Sequence, residues 1–222
     1  MTVLAFDTSL GGCSVGVITP DGRSAVRQVE TQRDQAKILV PLIQEAIDEA
    51  GVDFPDLKMI VTTIGPGSFT GLRIGLSTAR AMGLALNIPV NGVTTLDVIA
   101  AQVKEKNLLV LLETKRQDFY AQFFGVVASE PFAASADEII AQMHDEKLSL
   151  AGDALKRFQA EAGEEWARSH VETVHDLILP DPLVLAKLGQ TAGQAPEPLY
   201  LRGADVTQAK TPPKVIEGCP IQ

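Results

Sequence analysis

The chain has 222 residues, 45% of them hydrophobic, 21% charged and 5% aromatic, and carries a formal net charge of −9. That length and composition exclude a disordered bulk and allow either one large core or two small ones, of which two is the expectation here. The acid excess makes the chain a poor stand-alone binder of phosphate backbones, since that binding depends on Lys and Arg. In chain order, residues 3–6 form a short apolar run, followed by the polar turn Asp7-Thr8-Ser9 and the pair Gly11-Gly12. Residues 14–18 and 24–30, separated by Pro20-Asp21-Gly22, complete a predicted antiparallel meander. A helix is predicted over 36–50, with Ile38, Leu39, Leu42, Ile43, Ala46 and Ile47 on one side and Gly51 closing it. A buried strand over 57–64, a helix over 70–86, a short strand over 89–93 and a helix over 96–103 follow.

The second half repeats this scheme more loosely. Strands are predicted over 108–112, 119–127 and 148–151, and helices over 136–143, 154–162 and 183–193. Strands precede helices in each half, which is an α/β pattern of two similar lobes with a boundary near 104–107. The expected organisation is therefore a first lobe over 1–104, a second over 105–206 and a flexible tail over 207–222, rich in Pro, Lys and Thr.

Two cysteines, Cys13 and Cys219, do not make a disulfide framework, and Cys13 sits in an apolar strand pattern. The run from Met1 to Asp7 has no basic region, and its apolar part is short for a signal peptide. With no segment long enough to span a bilayer, the expected setting is the cytoplasm, away from membranes.

The most informative stretch is Gly65-Pro66-Gly67-Ser68-Phe69-Thr70-Gly71-Leu72-Arg73-Ile74-Gly75. Ser68 and Thr70 are candidate N-caps for the helix that follows. Gly71, Gly75, Ala79 and Gly83 lie four residues apart and so share one stripe of that helix. A helical glycine costs roughly 1 kcal/mol relative to alanine, so the stripe implies a close backbone approach. Two readings stand side by side: packing against this protein's own sheet, or an interface with another subunit. Arg73 and Arg80 interrupt the segment and exclude a membrane dimer.

These residues resemble the signature of the TsaB (YeaZ) family, a bacterial partner in making threonylcarbamoyladenosine on tRNA. Asp7-Thr8-Ser9 with Ser14-Val15-Gly16-Val17, Gly92-Val93-Thr94-Thr95-Leu96, and Pro198-Leu199-Tyr200-Leu201-Arg202 resemble other segments of that family in the expected order. The resemblance implies two ribonuclease-H-like lobes of the actin, hexokinase and Hsp70 type. It implies a non-catalytic scaffold that heterodimerises with its catalytic relative TsaD, with the ATPase TsaE joining. The assembly would transfer threonylcarbamoyl to N6 of adenosine 37 in tRNAs that read codons beginning with A. No cofactor of its own is expected, ATP or ADP belongs to the assembled complex, tRNA is reached only through that complex, and where TsaD is absent a homodimer and a monomer both stay open.

The resemblance places the interface on the first and second helices, at Ile38, Leu42, Gly71, Leu72, Arg73, Gly75, Leu76, Ala79, Arg80 and Gly83. Asp7, Thr8 and Ser9 correspond to the loop that holds nucleotide phosphates in the wider group. Asp7 reads either as a carboxylate for an ion or water or as a turn-forming Asp that caps its own backbone. Several departures count against an enzyme. TsaD carries His-x-x-x-His after the segment corresponding to 90–93, whereas this chain reads Gly92-Val93-Thr94-Thr95-Leu96-Asp97 and has no histidine before His144. Gln35 stands where the two families commonly have His, and glutamine does not shuttle protons near neutral pH. His144, His170 and His175 read as surface or core residues, and Gly152-Asp153-Ala154 as an αβ turn. Glu113, Lys115, Arg116 and Asp118 read as charges laddered on a hairpin. The alternatives are an ATP-dependent small-molecule kinase of the same fold, which needs a second phosphate loop, a metalloprotease, which needs the absent histidines, and a homodimeric binding module.

Overall fold

The computed structural model describes residues 1–31, 33–114, 116–126, 128–143 and 147–201. The tail expected over 207–222, together with Arg202, His144 and Cys219, lies outside the described residues. The elements are β1 (Thr2–Asp7), β2 (Gly12–Ile18), β3 (Ser24–Glu30), α1 (Gln35–Ala50), β4 (Leu57–Thr63), α2 (Phe69–Leu86), β5 (Val90–Val93) and α3 (Thr95–Val103). They continue with β6 (Leu108–Glu113), β7 (Phe119–Phe124), β8 (Phe132–Ala134), α4 (Ala136–Ala141), β9 (Leu148–Gly152), α5 (Leu155–Ala162), α6 (Glu164–His170), β10 (Val171–Asp176) and α7 (Pro182–Ala192). No helix among the described residues is long and apolar enough to cross a membrane.

The strands form two five-stranded sheets with one topology. The first runs β3-β2-β1-β4-β5 and the second β8-β7-β6-β9-β10. In each, three antiparallel strands are followed by two that join in parallel on the other side of the first. This repeated order is the two-lobed ribonuclease-H-like architecture that the resemblance implies.

Each central strand is covered on both faces, which is why β1 and β6 read as continuous apolar runs rather than alternating ones. On one face of the first sheet, Leu4, Phe6, Val15, Ile60 and Ala79 pack with Leu39, Ile43 and Ile47 of α1. On the other, Val3, Ala5, Val61 and Val93 meet Val98 of α3 and Leu185 and Ala186 of α7. In the second sheet Leu109 and Leu111 pack with Phe119, Ile139, Leu155 and Phe158, while Leu108, Val110 and Leu112 pack with Leu96 and Ile99 of α3. Thus α3, from the first half, lies under the second sheet, and α7, from the second half, lies on the first, where a Cβ on Gly189 would collide with Val61. A division at 104/105 separates the strands but not these helices.

The sequence reading passes over β8, α6 and β10. The last of these, Val-Glu-Thr-Val-His-Asp, is a largely exposed edge strand whose burial follows no clear period.

Candidate functional site

The carboxyl ends of β1 and β4 bring together the turn Asp7–Ser9 and the loop 64–68. Asp7 is fully buried. Its Oδ1 accepts from the Ser9 N–H at 3.0 Å, from Ser9 Oγ and from Thr63 Oγ1 at 2.5 Å, while Oδ2 has no hydrogen-bond partner among the described residues. Burial pushes the Asp7 carboxyl above the usual carboxylate range, against the hydrogen bonds from Ser9 and Thr63. Thr95 Oγ1, in the first turn of α3, lies 3.1 Å from Ser9 Oγ.

The loop closes over this turn. The Ser68 N–H donates to the Ser9 carbonyl at 2.7 Å, and a Cβ on Gly67 would stand 2.5 Å from that oxygen. Thr8 Oγ1 donates to the Gly71 carbonyl at 2.7 Å. Gln35 completes the closure from α1: it is buried, and its Nε2 donates to the carbonyls of Thr8, Leu10 and Gly12 at 3.2, 3.2 and 2.9 Å. The sequence registers Gln35 only as a missing histidine, whereas its amide pins the turn. Of the residues expected to hold phosphate, Thr8 and Ser9 are at most 1% exposed and both hydroxyls are used internally. The Ser9 N–H and Oγ on Asp7 Oδ1 are the contacts of the turn-forming reading of Asp7.

The glycine stripe needs a correction. Ser68 caps α2, accepting from the Gly71 N–H at 3.3 Å. Gly71, Gly75, Ala79 and Gly83 are all buried and face this protein's own sheet. A Cβ on Gly71 would overlap the Thr8 carbonyl oxygen, one on Gly75 would stand 2.7 Å from Thr8 Oγ1, and one on Gly83 would overlap Val90. Leu42, Leu72 and Leu76 are buried as well, at 6, 2 and 3% exposure. Seven of the ten expected interface residues are thus inside the fold, because helical spacing identifies a face without saying what it faces. Arg73 and Arg80 are exposed, and Ile38 is half-buried.

The outward stripe of α2 is Phe69, Arg73, Ser77, Arg80 and Leu84, with Phe69 54% and Leu84 86% exposed. The Arg73 guanidinium lies 3.8 Å from the centroid of the Phe69 ring. On α1, Val40 is 59% exposed beside Pro41, and Gln44, Glu45, Asp48 and Glu49 also point outward. Together the two helices present apolar side chains in water, basic on α2 and mainly acidic on α1.

In the second sheet the β6–β7 hairpin is as expected, with Glu113 opposite Phe119, and Lys115 lies outside the described residues. Glu113 forms a bidentate pair with Arg157 of α5 at 2.9 and 2.9 Å, and Arg157 also donates to the Asp118 carbonyl and stacks on Phe119. Asp153 Oδ1 accepts from the Glu113 N–H at 2.8 Å. Burial, with a smaller push from the Glu113 charge, raises the Asp153 carboxyl to about 6. His170 stacks on Trp166, and His175 Nε2 lies 3.0 Å from Glu105. Among the described residues no group of three His, Cys, Asp or Glu is placed to hold a metal ion.

Known proteins resemble this chain over much of its length. The model of the family described as TsaD: tRNA N6-adenosine threonylcarbamoyltransferase matches residues 27–178. An uncharacterised protein of Mycobacterium leprae is 33% identical over 142 residues, covering 62% of this chain and 40% of that relative. The chain thus spans less than two thirds of that relative's length. The tRNA threonylcarbamoyladenosine biosynthesis protein TsaB of Haemophilus influenzae is 25% identical over 235 residues, covering 96% of this chain and 98% of the relative. A solved structure of YeaZ from Pseudomonas aeruginosa superposes with a TM-score of 0.76 at 22% identity, covering 90% of this chain and 99% of that one. The resemblance to TsaB and YeaZ read from the sequence is borne out by these relatives, and the YeaZ structure shares the fold.

Proposed function

We infer that this chain, which belongs to the family described as TsaD: tRNA N6-adenosine threonylcarbamoyltransferase, is a scaffold subunit of the cytoplasmic assembly that makes threonylcarbamoyladenosine on tRNA. In this reading the chain binds and activates a catalytic TsaD, and TsaE joins the pair. TsaD carries out the transfer of threonylcarbamoyl to N6 of adenosine 37. The tRNA and any ATP or ADP are held by the assembly, since a chain of net charge −9 is poorly suited to hold RNA by itself.

The observation that carries the reading is the contrast between the two faces of α2. Its inner face seals the turn that would otherwise cradle a phosphate, and its outer face leaves Phe69 and Leu84 in water, as α1 leaves Val40. A sealed turn suits a subunit that has given up nucleotide chemistry, and an exposed apolar helix pair suits one that works by docking. Relatives named as tRNA threonylcarbamoyladenosine biosynthesis proteins support the pathway.

Reconstitution tests the reading. TsaD and TsaE of the same organism, given tRNA, ATP and a source of the threonylcarbamoyl adenylate, should modify adenosine 37 only when this chain is present. The Asp7→Asn variant should support modification as well as wild type does. Full modification without the chain, or its loss with Asp7→Asn in a folded protein, would overturn the assignment.

A further inference from the structure

We propose that the extended segment 194–201 is part of the partner-binding face, with Tyr200 as its anchor; the proposal rests on the reading that the outer face of α1 and α2 receives TsaD. The segment is fixed to the first sheet. Gly92 and Gln194 exchange backbone hydrogen bonds at 2.8 and 2.9 Å, and the Leu199 N–H donates to the Ile64 carbonyl at 2.7 Å. Between these ties, Arg80 Nη2 donates to the Pro196 carbonyl at 2.6 Å. The chain therefore runs along the flank of α2, from Arg80 toward the helix N-terminus.

At that N-terminus the Tyr200 ring lies 5.8 Å from the Phe69 ring, and Arg73 covers Phe69. Both rings are about half exposed, Tyr200 at 48% and Phe69 at 54%. At the other end, Arg80, Leu84, Asn87, Ile88, Pro89 and Pro196 line an open groove of about 560 Å³. Two half-buried aromatic rings with a stacked guanidinium on a hydrogen-bonded frame are the composition of an interface anchor, because such rings bury large area at little entropic cost. The charge pattern states what docks there. The only charged residues of α2 are Arg73 and Arg80, on a chain of net charge −9, so the opposing surface is apolar with carboxylates at its rim. The segment thus widens the helix face into one continuous surface, with an aromatic anchor at one end and the groove at the other.

Calorimetry with TsaD of the same organism tests this in the full chain. Tyr200→Ala should weaken binding roughly tenfold or more, as loss of an interface anchor does, while Tyr200→Phe, which keeps the ring, should bind nearly as wild type does. The second readout needs no variant. Nitration of Tyr200 by tetranitromethane should be fast in the free protein and suppressed in the complex, with Tyr120, the other tyrosine, as internal comparison. If Tyr200→Ala binds as tightly as wild type and nitration of Tyr200 is unaffected by TsaD, while Leu84→Glu abolishes binding, the proposal fails and the α1–α2 reading stands. If Leu84→Glu also binds normally, that reading fails and takes this proposal with it.

Discussion

Gly71 and Thr8 hold one another at a distance no side chain could share: the Thr8 hydroxyl donates to the Gly71 carbonyl, and the Thr8 carbonyl oxygen occupies the place of a Cβ on Gly71. This contact joins the first turn of α2 to the end of β1, and so fixes which face of α2 is turned inward. Gly71→Ala must push backbone against backbone, and should destabilise the protein by about 3 kcal/mol. Gly75→Leu, which meets two buried threonine hydroxyls, should cost at least as much. Urea unfolding checks both. A folded, normally stable Gly75→Leu protein that has lost its partner would show that the stripe faces outward after all.

Asp7 offers a test of the sealed turn. Its Oδ1 takes the hydrogen bonds from the Ser9 N–H, Ser9 Oγ and Thr63 Oγ1, and an asparagine carbonyl can take the same ones. Asp7→Asn should leave stability at pH 7 unchanged or raised, because it removes a carboxyl that burial already holds toward its neutral form. Asp7→Ala, which strands the donors of Ser9 and Thr63, should cost about 3 kcal/mol. Equal losses in both variants, read from urea midpoints, would contradict this.

Gln35 should matter for stability rather than chemistry. Its removal in Gln35→Ala leaves the buried carbonyls of Thr8, Leu10 and Gly12 without their shared donor, at a cost of about 2 kcal/mol. The fall in melting temperature should come with faster amide exchange around residues 8–12. A variant as stable as wild type would remove Gln35 from the account.

Asp153 predicts a pH dependence. Its folded value, about 6, lies above the ordinary 3.8, so over that window the folded protein binds more protons than the unfolded one. Stability contributed by this group is therefore full below about pH 4 and falls as pH rises to about 6, by roughly 2 to 3 kcal/mol at 1.36 kcal/mol per pH unit. Asp153→Asn keeps an acceptor for the Glu113 N–H and should abolish that slope. Unfolding free energies of the two proteins from pH 4 to 7 should converge at the acid end and separate toward neutrality, with the variant the more stable.

Much of the fold is legible in the chain. The apolar runs of β1 and β6 and the caps Ser68 and Gly51 are local signals, and each appears where it is read. The site was less legible because its decisive contacts are long in sequence. Thr8 meets Gly71, and Ser9 meets Thr95, across dozens of residues, and nothing in the spacing of Gly71, Gly75, Ala79 and Gly83 says whether a sheet or a second protein lies opposite. Glu113 illustrates the same limit: its bidentate partner Arg157 arrives from α5, 44 residues on. Tyr200 was visible only as part of a closing motif, since its place beside Phe69 depends on how the segment 194–201 is tied to β5 and the loop after β4.

The central claim is that the outward stripe of α2, with the exposed side of α1, binds TsaD. Sedimentation velocity of wild type and of the Val40→Glu, Leu84→Glu double variant, each alone and with TsaD of the same organism, tests it most directly. The account predicts a wild-type heterodimer and, for a double variant with an unchanged melting temperature, two separately sedimenting monomers. A double variant that forms the heterodimer as well as wild type would contradict it.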